Sequence, residues 1–145
     1  MALVHLPPSS PGVLTRGRGA VVAAFLAVAG GIHLQAAPEH VAEYPVFGLA
    51  FYAMATAQLL TASMFATGPA SHRLRTATIV LSVGIAVLWA MTRIVGLPIG
   101  PEPWQPERVG LEDSLCTLFE VLAATVLLGS DRRQPASYDR GEASW

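Results

Sequence analysis

Four runs of mainly apolar residues alternate with short polar stretches, at about residues 19–37, 46–66, 76–94 and 111–129. Each is close to the ~20 residues that a helix needs to cross the hydrocarbon of a bilayer. The second is the cleanest, with no charged residue between Glu43 and His72, whereas Glu120 interrupts the fourth. The pattern predicts an all-α integral membrane four-helix bundle over residues 19–130. Pro-, Ser- and Gly-containing tails flank it at residues 1–18 and 131–145 and are expected to be flexible and free of motifs. No internal repeat on the order of 20–50 residues is visible, which excludes a solenoid.

The polar residues inside the apolar runs are few and therefore informative. A charge at the bilayer centre costs ~2.5–3.5 kcal/mol on insertion scales, so such residues face a bundle interior or a wet cavity. That rule nominates His33, Gln58, Arg93, Asp113 and Glu120 as a pocket and polar core. Helical spacing puts Asp113, Cys116, Thr117 and Glu120 on one stripe and Met54, Gln58 and Thr61 on another. Close packing in lipid favours small residues four apart, which points to Ala23, Ala27 and Gly31 on the first helix. Ser82, Ala86 and Ala90 make the corresponding ridge on the third. From the helical rise, His33 is expected roughly 6–8 Å below the outer end of its helix. Arg93 and Asp113 come within about a turn of the outer boundary, and Gln58 and Glu120 near the midplane. This ladder descends from one side only, so the implied cavity is blind and opens outward.

Charge sets the orientation. Arg16 and Arg18 precede the first run, Arg73 and Arg75 separate the second from the third, and Arg132, Arg133 and Arg140 follow the fourth. By the positive-inside rule both termini are cytoplasmic, and the connections at 38–45 and 95–110 face outside. All nine basic residues are Arg, which fits a high-GC bacterium and hence its cytoplasmic membrane. A net charge of −1 excludes nucleic acid as a partner and leaves the lipid bilayer, a membrane-protein partner or a second copy. One competing reading stays open: Arg16 and Arg18, an apolar stretch and Gln35-Ala36-Ala37 resemble a secretory signal, although His33 and Gln35 break its core.

The outer connections carry the remaining chemistry. Glu39, His40 and Glu43 belong to the first, and one helical turn would join His40 to Glu43. The second alternates Gly and Pro from Gly96 to Pro106 and reads as an extended, stiff segment, either a lid or a connector anchored by Trp104. Arg93 is expected to pair with Asp113 or Glu112, to contact an anion or headgroup, or to snorkel to the interface. Glu120 either bonds Gln58 as a neutral acid or carries protons or anchors a ligand. His33 either donates to Glu120, bonds a carbonyl of a neighbouring helix or, with His40 and the nearby carboxylates, ligates a divalent metal. A haem held by two histidines fits poorly, because His5 and His72 lie on the opposite side. Cys116 is the only cysteine, which rules out a disulfide or CxxC site and leaves it as a small apolar filler. No phosphate loop, nucleophile elbow or HExxH occurs, so no catalytic residue is nominated.

Two stretches together carry a resemblance: His33-Leu34-x-x-Ala37-Pro38-Glu39-His40-x-x-Glu43 followed by Gly48, Phe51 and Gln58, and Arg93-x-x-Gly96-Leu97-Pro98-x-Gly100-Pro101. This pairing resembles a group of small, largely uncharacterised four-span membrane proteins of high-GC bacteria, over about residues 20–129. The resemblance implies the four-span fold and outer connections that act as one feature, and it implies no activity. The leading expectation is a non-enzymatic small ligand-binding or accessory subunit. A metal- or cofactor-dependent redox or delivery protein and a proton-coupled transport component are the alternatives.

Overall fold

A computed structural model describes residues 14–131; of the expected flexible tails, residues 1–13 and 132–145 fall outside the described residues, whereas Leu14 is buried and Arg16 to Arg18 already belong to the first helix. The fold is all-helical, with α1 (Arg16–Glu43), α2 (Pro45–Thr67), α3 (His72–Ile94) and α4 (Leu111–Asp131). α1, α2 and α3 are each long and apolar enough to cross a membrane. α4 carries Glu112 and Asp113 in its first turn and Glu120 in its middle.

The first expectation to fail is the end of α1. The connection expected at 38–45 is mostly helix, because α1 continues through Pro38 to Glu43. Proline removes one backbone donor and crowds the preceding turn. Pro38 and Leu34, whose carbonyl loses that bond, both lie on the exposed side, so the helix tolerates the defect. Tyr44 then stops it with an extended backbone (φ −155°, ψ 110°), while its N–H still bonds the His40 carbonyl at 2.9 Å. Pro45 opens α2, where its missing N–H costs nothing. A one-residue link holds the two helices so close that a Cβ on Gly48 would lie 2.1 Å from Val41 Cγ2.

α1 sits at the centre of the assembly, packing most extensively on α2 and also on α4, which in turn packs on α3. The backbones of α2 and α3 have few close approaches. The buried face of α1 is Gly19, Val22, Ala23, Leu26, Ala29, Gly30, His33 and Ala37. Of the small-residue ridge expected there only Ala23 is buried; Ala27 and Gly31 are exposed. Gly30 is the close contact instead, its missing Cβ position lying 3.0 Å from Leu59 Cγ. On α3 Ser82 is buried and Ala86 and Ala90 are half-buried, so that ridge faces inward as expected.

The interior divides along its length. Towards the start of α1 and the end of α4, Leu14, Val22, Leu26, Phe65, Ala123 and Leu127 pack as one apolar cluster. At that end Arg75 is buried and donates to the Leu127 carbonyl at 3.3 Å, tying α3 to the last turns of α4. Arg18 reaches Ser130 Oγ at 3.4 Å beside it. The polar layer and the cavity occupy the other half.

Candidate functional site

Gln58 organises the polar layer. It is fully buried on α2, on the line with Ala55 and Ala62 that faces α1. Its Oε1 accepts from His33 Nδ1 at 2.9 Å, and its Nε2 donates to Glu120 Oε1. The His33 nitrogen has a second acceptor, the Ala29 carbonyl at 3.2 Å, so Nδ1 carries the ring proton and Nε2 is an acceptor, with Cys116 Sγ 3.8 Å from it. Cys116 Sγ lies 3.4 Å from the same Nδ1 and donates weakly to the Ala29 carbonyl at 3.6 Å. Glu120 is fully buried, and its Oε2 has no hydrogen-bond partner. Ser82 Oγ of α3 is also buried without a hydrogen-bond partner. α1, α2 and α4 are thus joined by one continuous polar chain, with α3 alongside.

The layer corrects the expected depths. His33 is level with Gln58 and Glu120 rather than above them, since it bonds Gln58 directly. α1 continues to Glu43, so about 15 Å of helix stands beyond His33 instead of the 6–8 Å expected.

Above this layer lies a cavity of about 140 Å³ that all four helices line. His33 and Cys116 lie on its floor side, while Phe47, Phe51 and Met54 of α2 and Ile85, Leu88 and Trp89 of α3 supply apolar wall. Gln58 and Glu120 do not reach it, so His33 alone connects the cavity to the polar chain. Arg93, Asp113, Glu112 and His40 line the outer part. Glu39 and Glu43, expected at the mouth, lie on the exposed side of α1 and are not part of the lining.

Arg93 is the hub of the mouth. Its Nη2 meets Asp113 Oδ2 at 2.5 Å, as expected, and its Nη1 meets Glu107 Oε2 at 2.5 Å. It also donates to Thr92 Oγ1 at 2.6 Å and lies 5.7 Å from the Trp89 ring centre. Glu112, the alternative partner from the sequence, lines the cavity without pairing with Arg93 among the described contacts. Glu107 had no periodic relation to Arg93 that could single it out. The only hint was a carboxylate just before α4, in a connection tied to both helices.

That connection folds back along the end of α3 and over α2. Glu107 N–H bonds the Thr92 carbonyl at 2.9 Å and Trp104 N–H the Leu97 carbonyl at 2.7 Å, so the segment folds back on the end of α3. Gly96 makes the reversal with φ +78°, and a Cβ there would lie 2.5 Å from the Gln105 carbonyl oxygen. Gly100, at φ +114°, passes over α2, where a Cβ would lie 2.8 Å from Phe47 Cζ. Leu97 and Glu107 thereby complete the cavity wall, while Trp104 is 61 % exposed. Exposure suits the interfacial anchor also considered for Trp104, so one segment contains both features.

The metal reading finds little support in this arrangement. Among the described residues no three His, Cys, Asp or Glu side chains converge as a metal site requires. His33 and His40 are two turns apart on α1, and Phe51 packs against both rings, with centroids 5.3 Å and 4.0 Å away. Neither a family model, nor a curated protein, nor a solved structure matches the chain. The site's own geometry therefore carries the functional argument.

Proposed function

We propose that this chain is a four-span protein of a bacterial cytoplasmic membrane, with cytoplasmic termini, that binds a small molecule in its outward half. One observation carries the reading: a cavity of about 140 Å³ between four helices, floored by His33 and roofed by the segment from Leu97 to Glu107. A bundle that needed only stability would fill such a space, since interiors pack to the density of organic crystals. α4 spans with the others in this reading, because its carboxylates turn inward: Glu120 is fully buried and Asp113 is held by Arg93. The arginines Arg16, Arg18, Arg73 and Arg75 gather at the opposite end, which suits a cytoplasmic face.

The apolar cluster of Val22, Leu26, Phe65, Ala123 and Leu127 leaves the polar chain no continuation across the other half. That favours binding over transport. A binding or accessory role matches the site better than catalysis, since Gln58 commits the polar groups of His33 and Glu120 to one another.

Native mass spectrometry of the protein in mild detergent tests the reading. A small-molecule adduct at one equivalent is expected on the wild type and absent from Ala36→Leu, which fills the cavity wall. An unliganded wild type, or an adduct indifferent to Ala36→Leu, would overturn it.

A further inference from the structure

Charge and hydrogen-bonding character at the two ends of the cavity narrow the kind of molecule it takes. Around its mouth stand the carboxylates of Glu107, Glu112 and Asp113, which as anions can only accept hydrogen bonds. On its floor side His33 spends Nδ1 on Gln58 and the Ala29 carbonyl, so the ring nitrogen left to an occupant is Nε2, again an acceptor. The strongest donors of the wall are turned away or spent. Trp89 Nε1 and Arg93 Nε are buried within the protein, while the Arg93 Nη groups hold Glu107, Thr92 and Asp113.

The balance of charge points the same way. Three carboxylates line the cavity against the single guanidinium of Arg93, an excess of two negative charges. Glu107 and Asp113 share that guanidinium, and Glu112 has no hydrogen-bond or ion-pair partner among the described residues. In a cleft lined by one sign of charge the low-dielectric walls focus the field, so a cation is drawn in and an anion repelled. By themselves the carboxylates would be a solvated acidic patch; the cavity beneath them makes them the entrance to a site. Its remaining wall, with Phe47, Phe51, Met54, Ile85 and Leu88, suits an organic body rather than a bare metal ion, and aromatic faces attract cations as well. Asp113 and Glu107 are partly exposed, so a water-soluble cation can reach them from the outer side.

We infer that the cavity binds a small organic cation, a protonated amine on an apolar body, with the ammonium among Glu107, Glu112 and Asp113 and the body against Phe47, Phe51 and Ile85. The inference rests on the ligand-binding reading above and adds the charge and chemical class of the ligand. Its test is calorimetric titration of the full chain, in an uncharged detergent, with three compounds that share a phenyl body. These are 2-phenylethylamine, a cation at neutral pH, the neutral 2-phenylethanol and the anion phenylacetate. Saturable binding of the amine is expected, with the other two at least about tenfold weaker, and added salt should weaken the amine alone. Glu112→Gln removes an exposed, unpaired carboxylate and should weaken the amine roughly fivefold without changing the alcohol. Equal binding of all three compounds, or a preference for phenylacetate, would overturn the cation inference and leave the cavity reading standing. Saturable binding of none would also overturn it, and the adduct measurement with Ala36→Leu then decides the cavity reading separately.

Discussion

Gln58 is a residue whose two ends are both committed, and that makes its replacement informative. Its carbonyl oxygen satisfies His33 and its amide nitrogen bonds Glu120, all three side chains being buried. Gln58→Leu would orphan Glu120 Oε1 and leave His33 Nδ1 only the Ala29 carbonyl at 3.2 Å, and an unsatisfied buried group costs about 1–3 kcal/mol. Glu120→Gln keeps an acceptor for the Gln58 amide and should cost less. Thermal unfolding in detergent should therefore rank Gln58→Leu well below Glu120→Gln; the reverse order would mean that the polar chain is not what joins the helices. A second ranking concerns the mouth. Asp113 is 34 % exposed and Glu107 49 %, so solvent screens the Glu107 pair more strongly. Asp113→Asn should lose about 1 kcal/mol against Arg93 in a double-mutant cycle, and Glu107→Gln a fraction of that. The sequence pointed to His33, Gln58, Arg93, Asp113 and Glu120, because polar side chains in apolar runs have few places to go. It missed Glu107 and the buried Arg75, since partners in a loop or on a distant helix end leave no mark in helical spacing.

At the scale of elements, the link between α1 and α2 shows where propensity and packing part company. Pro38 read as a helix end, yet α1 passes through it, and Pro45 proved to be the working boundary. The difference is positional: at the first turn of a helix the missing N–H is not needed, while inside one its loss must be outweighed by the packing of the turns around it. Here Ala37 is fully buried and Val41 is pressed against Gly48, so those turns are held. Gly48→Ala would drive a Cβ into the Val41 backbone nitrogen at 2.5 Å, a clash that no rotamer relieves. It should cost about 1–3 kcal/mol, as overpacking does. Gly31→Ala meets nothing within 4 Å and should leave the melting temperature unchanged or slightly raised. Equal effects from the two would show that this crossing is looser than described.

At the scale of the whole molecule, the proposed orientation has a direct consequence for labelling. Cys116 is buried, so a cysteine introduced in an exposed segment reports alone. Glu102→Cys should react with an impermeant maleimide on intact cells, and His72→Cys only after the membrane is opened; the opposite pattern would invert the topology. The division into an apolar half and a cavity-bearing half belongs to this scale as well. Sequence by itself determined the helical class, the number of helices and the inward turn of His33, Gln58 and Glu120, because hydropathy and helical period are local properties of the chain. It could not determine that α1 would pack on α2 and α4 while the backbones of α2 and α3 made few close approaches. Nor could it put His33 level with Gln58, or fold Glu107 back onto Arg93. Those outcomes depend on how side chains from distant segments share one interior volume, a condition that exists only once the helices are packed.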